Sequence, residues 1–305
     1  MTQPLMQRLW IYQSERFPLK KTVPLLAVFS AASICVSAQL SGRELPHWGA
    51  FVVGFILAMT LFFQMRVCDE YKDLVDDQNY RPDRPIPRGL VSLGTIIKLG
   101  LLTLPLAALV AWFWNASVLW LLLLVWAWLA AMTAEFGVPR WLKSHPAFYL
   151  LSHMAIMPLI DLLLTSIEWT PNGEPAPLLW MFLALSFVNG CVLEIGRKLW
   201  APTNEIDGVE TYSRLWGPRR ATYVWLFCVA ISLALLIAVG FATGVGVFSV
   251  IIGVFGVGIC IWTAITYLRS TTPAAQDRID TIAGLWVFLC YGTAGFLPYI
   301  VRAIS

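Results

Sequence analysis

The chain has 305 residues, of which 58% are hydrophobic and only 13% charged, with a net charge of +3. A water-soluble domain of that size cannot cover its surface with so few polar groups, so this is a polytopic membrane protein. Nothing in the charge pattern marks a nucleic-acid partner. The six cysteines are scattered with no CxxC pair, and read as small core hydrophobes rather than ligands.

The first 22 residues mix Trp10, Tyr12 and Phe17 with Arg8, Arg16, Lys20 and Lys21. That mixture predicts an interfacial segment lying on the membrane, with no removable signal peptide. Nine apolar spans follow, near 23–41, 47–67, 93–113, 116–135, 146–167, 178–199, 220–240, 245–268 and 281–301. Each is long enough to cross a hydrocarbon core. All of the 21 Lys and Arg except Arg43 and Arg302 fall on one side of this topology. The positive-inside rule then puts the N-terminus in the cytoplasm and the C-terminus outside. The predicted fold is all-α: one transmembrane domain, 23–301, in two four-helix halves plus a ninth helix, around a central cavity open to the cytoplasm. The bilayer expected is a bacterial inner membrane.

The second span runs into Asp69-Glu70-Tyr71-Lys72-Asp73-Leu74-Val75-Asp76-Asp77, followed by Arg81-Pro82-Asp83-Arg84-Pro85. If the helix continues, Asp69, Asp73 and Asp77 share one face at i, i+4, i+8, with Glu70 beside it. Bare like charges at that spacing repel, and a hard cation such as Mg²⁺ removes the repulsion. The downstream arginines suit a phosphate. A weaker echo ends the sixth span: Glu194-Ile195-Gly196-Arg197-Lys198, then Asn204-Glu205-Ile206-Asp207-Gly208. Acids with arginines at one mouth below an apolar cavity suit a ligand with a diphosphate head and a hydrocarbon tail. Aromatic residues on these spans (Phe62, Phe63, Trp180, Phe187) are of a type that stabilises a developing carbocation, but aromatic residues in membrane spans far more often serve packing.

These residues resemble the UbiA superfamily of intramembrane prenyltransferases. Its first motif, N-D-x-x-D-x-x-x-D then R-x-x-R-P, is matched by Asp69-Glu70-x-x-Asp73-x-x-x-Asp77 and Arg81-x-x-Arg84-Pro85. Its second, D-x-x-x-D before G-x-x-T…G, is kept only in Gly208-Val209-Glu210-Thr211…Gly217, with Trp200 and Asn204 where the aspartates belong. The resemblance covers nearly the whole chain. It implies Mg²⁺ held by Asp69, Glu70, Asp73, Asp77 and Glu194 as the catalytic acids. It implies diphosphate contacts from Arg16, Lys72, Arg81, Arg84, Arg140, Arg197 and Lys198. Two alternatives stand for the altered motif: Glu194 ligates a second metal, or Arg197 and Lys198 replace one metal's charge. Lys198 is also placed for a local i, i+4 pair with Glu194.

The implied function is Mg²⁺-dependent transfer of a prenyl group from a prenyl diphosphate to a hydrophobic aromatic or lipid acceptor. A UbiA-type terpene cyclase would ionise the same donor, and a transporter of cations or lipid phosphates would also place acids at a helix mouth. A transporter needs polar groups through the bilayer, whereas the outer half holds little beyond Asp161 in span five. Asp161 is a functional candidate by its depth. His153 on the same span reads as a helix-to-helix hydrogen-bonding group.

Overall fold

The computed structural model describes residues 3–304, and among them every regular element is a helix. The interfacial segment forms α1 (Leu5–Arg16), which ends before Pro18. Nine spans follow: α2 (Leu19–Leu40), α3 (Trp48–Lys72), α5 (Leu93–Trp114), α6 (Ala116–Thr133), the pair α8 (Pro146–Met154) and α9 (Ile156–Asn172), α10 (Leu179–Gly196), α12 (Pro218–Ala242), α13 (Gly246–Arg269) and α14 (Pro273–Ile304). Each is long and apolar enough to cross a membrane. Short helices occupy three connections at one end of the bundle: α4 (Leu74–Tyr80), α7 (Pro139–Ser144) and α11 (Tyr212–Trp216).

Helices consecutive in sequence pack side by side, and α14 closes the ring on α2. The α2–α9 and α10–α14 contacts cross the middle, so α2 and α10 are the most buried spans. The α2–α14 crossing needs Gly295, because a Cβ there would lie 2.6 Å from the Ala32 Cα. Small residues permit such close approach where lipid supplies no hydrophobic drive between helices.

Polar locks add direction to this packing. Gln64 of α3 donates to Thr103 of α5 (2.9 Å) and accepts from Trp126 of α6 (2.8 Å). In the other half, Ser232 of α12 donates to Asn189 of α10 (2.7 Å) and accepts from Trp286 of α14 (3.0 Å). Asp161 of α9 accepts from Ser33 of α2 (2.6 Å) and from the Tyr291 hydroxyl of α14. Glu168, two turns further along α9, accepts from Ser37 (2.6 Å) and from Arg43 (3.0 and 3.1 Å). Asp161 is therefore a three-helix fastening whose acceptors are used, and its depth has a structural cause.

Candidate active site at the charged end of the bundle

The first acidic motif does not stay on one face. α3 stops at Lys72, Asp73 is its C-cap, and α4 restarts at Leu74. Crowded carboxylates make this a poor place to continue a helix. The break divides the acids. Asp77 is buried and meets both Arg84 (2.7 Å) and Arg81 (3.2 Å). Glu70 is buried on the other side of α3, where Arg16 Nε donates to it at 2.6 Å and the Tyr12 hydroxyl at 3.4 Å. Burial, then the Glu70 carboxylate, raises the Tyr12 phenol above its usual range. Burial lowers the Arg84 guanidinium, with Asp77 opposing and Arg16 and Arg81 reinforcing. Arg16, Arg81 and Arg84 thus form one cationic group around two carboxylates.

This corrects the one-face reading. Here Glu70, Asp77 and Arg16 fasten α1 and the α4–α5 connection to α3 through these ion pairs. Asp69 and Asp73 are left. Asp69 is half exposed and, among the described residues, its one ion pair is with Arg66, at 3.4 Å. Among the described residues, no hydrogen bond or ion pair holds the Asp73 side chain. Each carboxylate lies in the other's field.

The second half answers with cations. Glu194 is buried, and both Arg197 and Lys198 (3.0 Å) pair with it. Arg197 is raised by Glu194 first, against burial, with Asp69 adding to the effect. Arg197 therefore lies within electrostatic reach of the first motif. The two positions that depart from the family pattern have structural partners. Trp200 donates to the Arg197 carbonyl (3.0 Å), and Asn204 donates to Gln276 (2.9 Å). Glu205 accepts from Thr211 and Ser213 (2.7 Å each), and Asp207 from Arg214 (2.8 Å), so the loop acids organise the loop itself. The two connections meet where Gly208, at φ +78°, lies against the Tyr80 ring; a Cβ there would lie 2.2 Å from it.

Between these halves lies a group that sequence reasoning underrated. Lys72 Nζ donates to the Tyr149 hydroxyl (2.8 Å) and is 3.9 Å from Glu135. Tyr149 stacks on His153 with ring centroids 3.9 Å apart. Glu135 and Phe136 both take positive φ, 47° and 53°. Such backbone in non-glycine residues is held only when surroundings enforce it. No sequence signal announces that conformation. Arg140 is exposed on α7, and Trp180 is largely exposed on α10. An apolar cavity of about 330 Å³ lies under α1, lined by Phe17, Met59, Phe63, Ile96 and Leu99 among others.

No three His, Cys, Asp or Glu groups among the described residues converge as a ready-made metal cage. Two neighbouring carboxylates with open positions still fit a Mg²⁺ ion that takes the rest of its shell from water and phosphate.

Taken together, the structure is a nine-helix intramembrane bundle whose one charged end sets two open aspartates opposite a cationic helix terminus. The family model of the UbiA prenyltransferase family matches residues 27–289, and the chain belongs to that family. It is an intramembrane prenyltransferase. A digeranylgeranylglyceryl phosphate synthase of Thermococcus sibiricus is 23% identical over 271 residues, covering 84% of this chain and 90% of that one. The apo structure of a UbiA homolog from Aeropyrum pernix K1 superposes with a TM-score of 0.68 at 16% identity, over 91% of this chain and 98% of that one. A solved digeranylgeranylglyceryl phosphate synthase gives 0.59 at 16% identity, over 95% and 99%. At that identity the two structures speak for the fold.

Proposed function

We propose that the protein transfers a prenyl group from a prenyl diphosphate to a lipid acceptor, with Mg²⁺ held by Asp69 and Asp73. The observation that carries this reading is the division of the acids: Glu70, Asp77 and Glu194 are buried and held by cations, whereas Asp69 is half exposed with one long contact to Arg66, and Asp73 has no ion pair among the described residues. When bound, Mg²⁺ would neutralise charge on the departing diphosphate. Lys72, Arg197 and Lys198 stand around the same mouth and would bind diphosphate oxygens. Arg197 and Lys198 take the place of a second acidic motif and bring positive charge there directly. The Thermococcus relative's name makes a prenylglyceryl phosphate the first acceptor to try. The cation asymmetry supports a reading in which the charged end, and with it the N-terminus, faces the cytoplasm.

The test is diphosphate release by purified protein in nanodiscs, using geranyl, farnesyl and geranylgeranyl diphosphates with and without Mg²⁺. Mg²⁺-dependent release that disappears in Asp73→Ala is expected. Equal release by Asp73→Ala would overturn the site, and a cyclic hydrocarbon product would show cyclisation in place of transfer.

A further inference from the structure

Every prenyl transfer to a hydroxyl or an aromatic C–H releases one proton, and a buried site needs a group to receive it. Resting on the reading above, we propose that His153 is that group, and that the acceptor is a hydroxyl-bearing lipid with an adjacent anionic head. His153 is buried, only 6% exposed. Its Nδ1 is 2.9 Å from the Tyr149 carbonyl oxygen. A carbonyl only accepts, so Nδ1 carries the hydrogen and Nε2 the lone pair. That Nε2 is buried with no hydrogen-bond partner among the described residues.

The ring's direction is fixed from several sides. It stacks on Tyr149 at an interplanar angle of 11°, and Phe136 meets it edge-on. Tyr149 in turn is held by Lys72, one residue from Asp73. His153 is the penultimate residue of α8, where the span breaks at Ala155. Pro158 has no N–H to offer the Met154 carbonyl, which gives the break a cause. Non-helical backbone at membrane depth is tolerated where protein buries it or it lines a cavity.

The charged groups that face His153 come from two other elements: Lys72 from α3, and Glu194 with Lys198 from the end of α10. Glu194 already holds Lys198. Lys72, held on the Tyr149 ring that stacks on His153, and Lys198 bring positive charge to this region; beyond their part in holding the diphosphate, that charge suits an acceptor whose hydroxyl lies near a phosphate monoester. Glu135, also buried, leaves its Oε2 without a partner on the Lys72 side of the same group. It is a second acceptor that would orient the hydroxyl.

In the step, the C1–O bond of the donor breaks and its electron pair leaves on diphosphate. The acceptor oxygen forms the new bond to C1 and gives its proton to His153 Nε2. The imidazolium returns the proton to the released diphosphate or to water at the mouth.

The experiment uses the full chain in nanodiscs with geranylgeranyl diphosphate, Mg²⁺ and a monoprenylglyceryl phosphate probe. Ether product and released diphosphate are counted in the same reaction. His153→Gln and His153→Asn keep hydrogen-bonding capacity without a basic nitrogen, and thermal melting reports whether each folds. The product-to-diphosphate ratio should fall at least tenfold in both, with free prenol appearing instead, and added imidazole should raise it in His153→Ala. An unchanged ratio in either folded variant would overturn the assignment. If the wild type releases diphosphate but forms only prenol, the acceptor class is wrong. If it releases none, the donor reading itself fails.

Discussion

The two ends of the bundle treat their acids differently. At one end, Asp161 and Glu168 are buried, and hydroxyls from neighbouring helices and the Arg43 guanidinium of the α2–α3 connection occupy their oxygens. At the other, Asp69 and Asp73 sit one turn apart with a single long contact between Arg66 and Asp69. Depth in the membrane does not make an acid functional. What separates the two pairs is whether the fold supplies donors. A satisfied carboxylate fastens helices, and an unsatisfied pair of like charges leaves room for a cation to relieve the repulsion.

The comparison breaks first at Asp73. Asp73→Ala should cut Mg²⁺-dependent diphosphate release by about 10³-fold, roughly 4 kcal/mol in barrier, while thermal stability stays the same or rises slightly as repulsion with Asp69 is relieved. Asp161→Ala should do the reverse. It strands the Tyr291 hydroxyl, while Ser33 falls back on the Phe29 carbonyl, at a cost of about 1–3 kcal/mol in unfolding free energy, with diphosphate release by the folded fraction little changed. Both are read in one pair of assays, melting and release. If Asp161→Ala abolishes release without loss of stability, the division between fastening and catalytic acids is wrong. A smaller effect is expected at Arg66→Ala. Its contact with Asp69 is exposed and long, so stability should change by less than about 1 kcal/mol.

The nine spans were legible because hydropathy and cation asymmetry report a constraint the bilayer imposes on every residue. The helices begin and end within a few residues of the predicted spans, apart from extensions to Lys72 and Asn172 and the start of α14 at Pro273, ahead of the predicted 281. The first motif was legible as an acid cluster and illegible as a set of partners. Spacing places Asp69, Asp73 and Asp77 on one face only while the helix continues, and the break at Asp73 depends on charge crowding that no propensity scale contains. The pairing of Glu70 with Arg16 spans 54 positions, and that of Asp161 with Tyr291 spans 130. Such contacts are properties of the packing. Glu194 was legible in its simplest form, since i, i+3 and i, i+4 neighbours on a helix meet regardless of tertiary context. His153 looked like a helix-to-helix bond because a histidine in an apolar run usually is one. Its unpartnered nitrogen exists only in three dimensions.

A third kind of acid completes the comparison: one with a partner but open to solvent. Glu15 of α1 meets Arg88 at 2.8 Å, with both side chains more than one-third exposed. Arg88 bonding holds the Glu15 carboxyl below its ordinary value of 4.5. A depressed folded-state value means that this contribution is fully present above 4.5 and fades as pH falls through the lower, folded value. Water and salt screen such a pair, so it should matter little to global melting and only locally to how α1 stays down. A spin-label distance from α1 to α3 would show this: a small population with α1 lifted should appear on acidification below that range, and in Glu15→Gln at neutral pH. The buried Arg16–Glu70 pair keeps the rest of α1 in place. Lifting of the whole helix in Glu15→Gln would mean that the exposed pair, and not the buried one, fastens α1 to the bundle.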